Sequence, residues 1–285
     1  ISDQTNSILS DPWYEGSSFN DGWELIYQND KNYIKKLLNE ITHIWISHEH
    51  PDHFSIKFFK TYKTIINKNN IQILFQQTKD KRVYKFLTSN NFNVIQLKNK
   101  KYYKINDNFY IKLIKSDFYD SALILKLGNK TIVNLNDCPF EKSQDIKSLL
   151  NHVKEVDVLL SQFSYAAWKG GKENKSWREN SAYEKLKVLE NQVKILNAKH
   201  LIPFASYIYF SHVENKYMND SINTPEKIKK FSKILSEKSI ILRPEEEQQI
   251  KNLKQDDDSI FFWKKAFNQI PYLNYNAYTK SYNIK

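Results

Sequence analysis

Six consecutive residues carry the clearest chemistry in this sequence: His48-Glu49-His50-Pro51-Asp52-His53. They include three of the seven histidines in the 285-residue chain. Imidazole and carboxylate groups at this spacing suit a divalent metal ion, or two metal ions a few ångströms apart. The run therefore predicts a metal centre with His48, His50, Asp52 and His53 as ligands, and Asp52 is also a candidate catalytic base.

The predicted elements around this run explain how its side chains can converge. Residues 43–47 are typical of a short buried strand, and apolar residues recur at helical spacing from Phe54 onward, so we expect a helix to begin near Asp52 or His53. In extended backbone, residues two apart point to one face, so His48 and His50 can share a target. The alternative, ordinary surface histidines in a loop, does not explain why they cluster after a hydrophobic strand.

The HxHxDH pattern resembles the signature of the metallo-β-lactamase-fold superfamily. The resemblance implies an α/β protein folded as an αββα sandwich, with two sheets face to face and helices outside. Two runs of predicted strands agree with it, the last strand at residues 239–242. We expect a single domain over residues 1–285, with residues 246–285 as a C-terminal extension. Members of the superfamily have one or two strands before the position of Ile8–Pro12, so we also expect sequence ahead of Ile1.

Asp137 is the second strong candidate, both as a metal ligand and as a catalytic residue. It directly follows the predicted strand 131–135, where a carboxylate can reach from the second sheet to a metal held by the first. In the superfamily, an aspartate at this point commonly bridges two metals. The alternative is a turn-capping aspartate in the sequence Asn-Asp-Cys-Pro.

The chain departs from members of the superfamily that hold two zinc ions. Those members supply a further histidine ahead of the Asp137 position, but no histidine lies between His53 and Asp137 here. The resemblance implies Asp117 and Asp120 as replacements.

A late histidine ligand is also missing, because Ala205 stands where many members of the superfamily carry it. His212 could turn inward to replace it, whereas His200 begins the predicted strand and points elsewhere. The resulting set of donors is richer in oxygen than a two-zinc site. Two histidines plus a carboxylate also suit Fe(II), and oxygen donors suit manganese. The metal stays open between Zn(II) and Fe(II), with one or two ions per chain.

A longer pattern narrows the resemblance. Its elements, in chain order, are Asp11-Pro12-Trp13, Gly16, Phe19, Gly22-Trp23, the histidine run, Asp120-Ser121, residues 134–138, Gly170-Gly171-Lys172, residues 203–207 and Ser211-His212. This pattern resembles the metallo-β-lactamase-like part of the CMP-N-acetylneuraminate hydroxylases. The replacement of the late histidine by Ala205 is shared with that family.

The resemblance implies a function and its partners. The hydroxylase family converts the N-acetyl group of a CMP-linked sialic acid to N-glycolyl, with electrons passing through a Rieske iron–sulfur centre. Such a centre needs two cysteines and two histidines, and Cys138 is the single cysteine here, so these residues hold no Rieske cluster. We expect a nucleotide-sugar or other anionic substrate and a Rieske- or ferredoxin-type electron donor.

Two other classes of function stay open. One is a metal-dependent hydrolase of a phosphorylated sugar or phosphodiester, similar to lactonases or nucleases of the same fold. The other is a non-catalytic binding protein.

Four residues are candidates for contacts with the substrate: Trp13, Trp23, Lys172 and Arg178. The tryptophans lie in a predicted loop, where the alternative role is that of a hydrophobic plug. Lys172 and Arg178 follow a glycine pair that lacks the P-loop pattern, and a plain surface loop is the alternative there. Pro12 favours extended backbone at Asp11.

The composition limits the possible partners. The net charge of +11 is compatible with nucleic acid, an acidic membrane surface or an anionic substrate. The lysines are spread along the chain and no RNA-binding signature is present, so we do not expect a nucleic-acid partner. No apolar run of about 18 residues predicts a membrane span. The single cysteine excludes an internal disulfide framework and fits a reducing compartment, so we expect a cytoplasmic location.

Overall fold

The computed structural model describes residues 1–116 and 119–277. Its first sheet is parallel, with the strand order β1-β3-β4-β5. The strands are β1 (Ile8–Ser10), β3 (His43–Ile46), β4 (Gln72–Gln76) and β5 (Asn93–Leu97). All four residues of β3 are buried, as expected for a parallel strand covered on both faces.

The second sheet is mixed, with the order β11-β10-β9-β8-β7-β6. Its strands are β6 (Tyr102–Asn106), β7 (Phe109–Lys115), β8 (Ser121–Leu127), β9 (Lys130–Asn136), β10 (Val158–Gln162) and β11 (His200–Phe204). Strands β6 to β9 are antiparallel, and β9, β10 and β11 run parallel. A short antiparallel pair joins β2 (Trp23–Leu25) to β12 (Ile208–Phe210).

Helices cover the outer face of each sheet. The first sheet carries α1 (Lys31–Glu40), α2 (Ile56–Lys68) and α3 (Arg82–Ser89). The second carries α4 (Ser143–Leu149), α5 (Lys175–Ile195), α6 (Pro225–Phe231), α7 (Lys233–Lys238) and α8 (Asp257–Gln269). Across the two described segments, none of the helices has the length and apolar content needed to cross a membrane.

A third apolar core lies between the two sheets. Trp45 and Leu74 of the first sheet pack there with Phe109, Ile111 and Leu123 of the second. These side chains alternate along β7 and β8 with residues that face the outer helices, as the two-residue period of a strand requires. Helices outside and two sheets inside make the αββα sandwich, so the fold class predicted from the sequence is confirmed.

Two element predictions differ from the structure. Helix α2 begins at Ile56, not near Asp52, because the Ser55 hydroxyl caps it by accepting the N–H of Phe58. Asp52 therefore lies in the turn that precedes the helix. Residues 239–242 form no strand; a single bridge between Leu201 and Ser239 is all that pairs there.

Candidate metal centre

The histidine run lies at the carboxyl end of β3 and folds into a tight turn. The His50 carbonyl accepts the backbone N–H of His53 at 2.9 Å and that of Phe54 at 2.7 Å. This turn folds the run back on itself. The imidazoles of His48 and His53 consequently lie close together, with ring centroids 4.2 Å apart.

Two overlapping groups of donor atoms form around His48. One comprises His48, His50 and Asp120, and the other comprises His48, His53 and Asp137; within each group the donor atoms lie within 4.8 Å of one another. Imidazole nitrogens and carboxylate oxygens this close are suited to holding divalent cations.

Individual distances show that the groups share atoms. Nε2 of His48 lies 2.8 Å from Nδ1 of His50, 3.6 Å from Oδ1 of Asp120 and 3.8 Å from Oδ2 of Asp137. Nε2 of His53 lies 3.4 Å from the same Asp137 oxygen. Asp137 thus stands between His48 and His53. Asp52 is outside both groups, but its Oδ2 also lies 3.4 Å from Nε2 of His53.

A strained turn presents Asp137 at the end of β9. Asn136 has a left-handed backbone with φ of +43°, a conformation that asparagine tolerates better than most residues. Its side-chain oxygen accepts the Asp137 N–H at 2.6 Å, and its amide donates to the Ser121 carbonyl at 2.9 Å. The neighbouring strand pairing shifts register between Leu160 and Ser161. Together these contacts fix the aspartate at the edge that faces the first sheet.

Asp11 and Ser47 orient the histidines from behind. Asp11 accepts the Ser47 N–H at 2.7 Å and the Ser47 hydroxyl at 2.8 Å, and its Oδ2 lies 3.0 Å from Nδ1 of His53. Because a carboxylate can only accept, Nδ1 of His53 carries a proton toward Asp11, and Nε2 is the nitrogen that faces Asp137 and Asp52.

The Ser47 hydroxyl places a proton on Nδ1 of His48. The hydroxyl donates its own proton to Asp11, so its oxygen accepts the N–H of His48 Nδ1, 3.0 Å away. Nε2 of the neutral His48 ring is therefore left unprotonated. Sequence reasoning missed Asp11 and Ser47 as parts of the site. The available signal was their position, because both follow neighbouring strands, β1 and β3, at the carboxyl edge of one parallel sheet.

Burial and mutual charge shift the ionisation of the site. Burial, helped by the positive charge of His53, lowers the pKa of His48 to about 4. Burial also acts to lower the pKa of His53, but the carboxylates of Asp137, Asp11 and Asp52 outweigh it and raise that pKa well above the usual value. His48 is therefore neutral at pH 7, the form that binds metals.

The two carboxylates of the donor groups shift in opposite directions. Burial and the nearby charge of Asp137 raise the pKa of Asp120 to about 7. Burial would raise the pKa of Asp137 as well, but the charge and hydrogen bond of His53 outweigh it and hold that pKa below its ordinary range. The pKa values split because His53 stabilises the charged form of Asp137, whereas Asp120 lies beside that negative charge.

Three carboxylate oxygens give a direct test of whether a cation fits here. Oδ1 of Asp52, Asp120 and Asp137 is shielded from solvent, and none of the three accepts a hydrogen bond from any residue within 1–116 or 119–277. Burying such atoms without a partner is costly. A divalent cation would neutralise them, so the donor set fits one or two metal ions.

Comparison with known proteins agrees with this architecture. No family model matches the chain. One similar solved structure is a possible metal-dependent hydrolase from Veillonella parvula; its TM-score is 0.60, the sequence identity is 15%, and the match covers 86% of this chain and 93% of that one. Another is a mutant of the β-hydroxylase CmlA; its TM-score is 0.52, the identity is 12%, and the match covers 71% of this chain and 42% of that one. The chain is a metallo-β-lactamase-fold protein.

Curated relatives of this metallo-β-lactamase-fold protein are cytidine monophosphate-N-acetylneuraminic acid hydroxylases. The Danio rerio protein is 25% identical over 230 residues, which cover 75% of this chain and 37% of the relative. The human protein, named as inactive, is 23% identical over 257 residues, covering 82% and 48%. The chain thus spans less than half the length of these relatives. The resemblance found in the sequence is confirmed, and together with the donor set it supports a metalloenzyme.

Some predicted ligands of this metallo-β-lactamase-fold protein are not brought together. His212 belongs to neither donor group among the described residues. Its Nδ1 faces the Glu214 N–H at 3.2 Å, and its backbone pairs with Asn276, so the chain turns toward the C-terminal segment instead. His200 begins β11, at the end of the strand away from the site. Asp117 lies outside the described residues.

The two tryptophans predicted to contact substrate differ in their surroundings. Trp13 is buried and donates its indole N–H to the Gly16 carbonyl at 3.2 Å. This burial suits the role of a hydrophobic plug, and contact with substrate stays a prediction for Trp13. Trp23 is half-buried and packs against Phe19 and Phe210, at 4.3 Å and 6.2 Å between ring centroids.

Arg178 is a structural lock and not a free cation. Its side chain is 1% exposed and forms a bidentate pair with Asp220 at 2.9 Å and 2.7 Å. It also donates to the carbonyls of Gly171 at 2.6 Å and Lys172 at 3.1 Å. These bonds use four of its five donor positions and leave one for any other partner, and substrate binding by Arg178 stays a prediction. The residue holds the glycine loop in place, and Lys172 is exposed on that loop.

Proposed function

We propose that this chain is a metal-dependent enzyme acting on a nucleotide-activated sugar, with a CMP-linked sialic acid as the substrate class. The proposed reaction is a hydroxylation that draws electrons from a Rieske- or ferredoxin-type centre outside these 285 residues. Three observations support the proposal. The donor groups suit a metal ion, the curated relatives are hydroxylases of cytidine monophosphate-N-acetylneuraminic acid, and the single cysteine of these residues is fewer than the two that a Rieske cluster needs.

One observation carries the proposal. Nε2 of His48 belongs to two donor groups at once, and the three neighbouring aspartates each bury an oxygen without a hydrogen-bond partner among the described residues. His48, His50 and Asp120 would hold one ion, and His53 and Asp137, with Asp52 beside them, would hold a second. The first set, two histidines and one carboxylate, is the combination found in non-haem Fe(II) oxygenases.

The protein's own residues have separate tasks in this reaction. Bound Fe(II) would supply the dioxygen chemistry, with electrons from the partner. Asp11 holds the proton on Nδ1 of His53, and Ser47 holds the one on Nδ1 of His48, so Nε2 is the nitrogen of each ring that would bind a metal. Asp52 can accept a proton within the site, because its Oδ2 lies 3.4 Å from Nε2 of His53 and its buried Oδ1 accepts no hydrogen bond from the described residues. The exposed ring of Phe19 and the half-buried ring of Trp23 would restrict water on one side.

Metal-dependent hydrolysis is the second candidate. The Veillonella parvula structure, similar over most of both chains, is described as a possible metal-dependent hydrolase. In that case a bound metal would lower the pKa of water, and Asp52 would act as the general base. Which metal the protein retains separates the two candidates.

The deciding experiment is elemental analysis of protein purified without added metal. It compares wild type, His50→Ala and His152→Ala; His152 belongs to neither donor group and is the matched control. We expect about one or two irons per chain in wild type and His152→Ala, and clear loss in His50→Ala. CMP-N-acetylneuraminate, dioxygen and a chemical reductant should then yield a product with one added oxygen atom by mass spectrometry.

The other outcomes are equally definite. Zinc in place of iron, together with release of CMP or phosphate, would establish the hydrolase candidate. Protein without metal even after loading with Fe(II) or Zn(II) would overturn the enzymatic proposal.

A further inference from the structure

A left-handed turn lies beside the metal centre and is not explained by the ligands themselves. Phe19, Asn20 and Asp21 have φ of 52°, 53° and 61°. Three successive non-glycine residues in this region are rare, because the conformation is unfavourable for each of them unless its surroundings impose it. Asparagine and aspartate tolerate it best, whereas phenylalanine gains nothing from its own backbone there.

The surrounding contacts fix this turn at both ends. Ser18 and Trp23 exchange backbone hydrogen bonds of 2.9 Å and 3.1 Å, and the Gly22 N–H donates to the Phe19 carbonyl at 3.1 Å. A Cβ added at Gly22 would lie 2.9 Å from that carbonyl oxygen, so the close approach requires glycine. The Ser211 hydroxyl holds the Asp21 carbonyl at 2.8 Å. The turn is thus a rigid part of the fold, tied to the segment after β12.

The ring that this turn presents is not part of a core. Phe19 is 40% exposed. Its ring lies 4.3 Å from the ring of Trp23 and 6.0 Å from that of His50, edge to face in the second case. Because the ring is exposed, its burial does little to offset the unfavourable backbone conformation of Phe19. What the turn does is hold an aromatic ring against His50, a candidate metal ligand.

We infer that Phe19 is a substrate-contacting residue that forms an aromatic wall of the active site and sets its specificity for the sugar. This inference rests on the proposed function. A ring in contact with His50 meets the part of the substrate that reacts, which in a nucleotide sugar is the sugar and its acyl group. A phenyl ring offers no hydrogen-bonding group, so it suits the C–H face of a sugar ring. The cytidine base then lies farther from the metal.

The test measures binding by isothermal titration calorimetry with three probes: CMP-N-acetylneuraminate, CMP and free N-acetylneuraminate. It uses the protein with its metal, as wild type, Phe19→Ala and Phe19→Tyr. Phe261→Ala is the matched control, because Phe261 is 68% exposed on α8. We expect Phe19→Ala to weaken binding of the nucleotide sugar about tenfold while its binding of CMP stays unchanged. Phe19→Tyr should keep wild-type affinity, and the metal content of every variant should equal that of wild type.

Each remaining outcome overturns the inference in a recognisable way. Unchanged affinity for the nucleotide sugar in Phe19→Ala overturns the role of Phe19 alone. An equal loss for CMP and the nucleotide sugar, or loss of metal, would assign Phe19 a structural role. Wild-type protein that retains metal but binds none of the three probes would remove the proposed function, and the inference with it.

Discussion

Asp11 and His53 lie 42 residues apart in the chain, yet Oδ2 of the aspartate is 3.0 Å from Nδ1 of the histidine. The pair forms because β1 and β3 are parallel neighbours, so the residues after both strands meet at one edge of the sheet. Asp11 departs from the extended backbone that Pro12 favours, with φ of +44°. This strained conformation directs the Asp11 carboxylate to Nδ1 of His53, the ring nitrogen on the side away from Asp137.

Replacing Asp11 with asparagine should weaken metal binding about 10–100-fold. Asparagine is uncharged and no longer fixes the proton on Nδ1 of His53, so that ring can rotate or change tautomer. Competition with a chromogenic chelator measures the affinity. Asp3→Asn is the control, because Asp3, like Asp11, accepts backbone N–H hydrogen bonds, in its case from Thr5 and Asn6, but lies in the N-terminal turn. Equal affinity in the two variants would contradict the orienting role of Asp11.

Replacing Asp120 with asparagine should have opposite effects on the metal-free and metal-loaded protein. Without metal, the substitution removes one of two crowded carboxylates, and we expect it to stabilise the fold by about 1–2 kcal/mol. With metal, the loss of a charged ligand should lower stability. Thermal unfolding with and without EDTA gives both values. A change of the same sign in both conditions would mean that Asp120 does not act as a ligand.

Asp157 should make stability depend on acid pH. Its side chain is 4% exposed and accepts the Thr131 N–H at 2.9 Å and the ammonium groups of Lys199 at 3.0 Å and Lys130 at 3.2 Å. Burial raises its pKa, but these hydrogen bonds outweigh burial and the net pKa is lowered. A lowered folded-state pKa stabilises the protein above the ordinary pKa, and the contribution is lost as pH falls through the folded value.

The substitution Asp157→Asn tests that sign. The free energy of unfolding of wild type, measured in urea at pH 7, should exceed that of the variant by about 1–3 kcal/mol. This gap should close between about pH 4 and pH 2. Glu155→Gln is the control, since Glu155 is 75% exposed and pairs at 3.4 Å with Lys199, which also pairs with Asp157. The stability of this variant should follow that of wild type. A gap that persists at pH 2 would mean that Asp157 acts through packing and not through its charge.

Arg178→Met should destabilise the protein by about 3–5 kcal/mol, because it leaves Asp220 and two loop carbonyls without their partner. Metal content should not change, since Arg178 holds the glycine loop and not the metal. Lys175→Met, which removes an exposed pair with Glu179, is the control. If Arg178→Met kept wild-type stability in urea and lost only affinity for CMP-N-acetylneuraminate, the locking role would be refuted.

Trp263→Ala should cost about 3–5 kcal/mol. Trp263 of α8 stacks on Tyr207 with ring centroids 4.0 Å apart and donates its indole N–H to the Leu242 carbonyl at 2.7 Å. The loss would establish that the C-terminal segment is part of the domain core. Chemical denaturation compared with Phe261→Ala measures it, and a single cooperative transition at unchanged midpoint would show that α8 is an appendage.

The sequence predicts the parts of this protein that are local. The HxHxDH run and the aspartate after β9 each depend on neighbours within a few residues, so pattern and spacing suffice to find them. Asp11 and Arg178 could not be assigned in this way. The partner of Asp11, His53, depends on strand order, and that of Arg178, Asp220, is 42 residues away.

Backbone conformation was the other feature that could not be predicted fully from the sequence. The helical period begins at Phe54, but the turn on the His50 carbonyl delays the helix to Ile56. Residue type signals only part of the left-handed turn of residues 19–21, because Asn20, Asp21 and Gly22 suit it whereas Phe19 does not. One of the contacts that fix the turn is with Ser211, far along the chain.

The donors of the metal centre come from two distant stretches of the chain. His48 and His50 follow a strand of the first sheet, whereas Asp120 and Asp137 flank strands of the second, and the Ser121 hydroxyl reaches across to the Ser47 carbonyl at 2.6 Å. Neither stretch can assemble the full donor set before the sheets dock. Only a chain whose two sheets have docked would therefore retain metal, and partly folded or cleaved molecules would be distinguished by the loss of the ion.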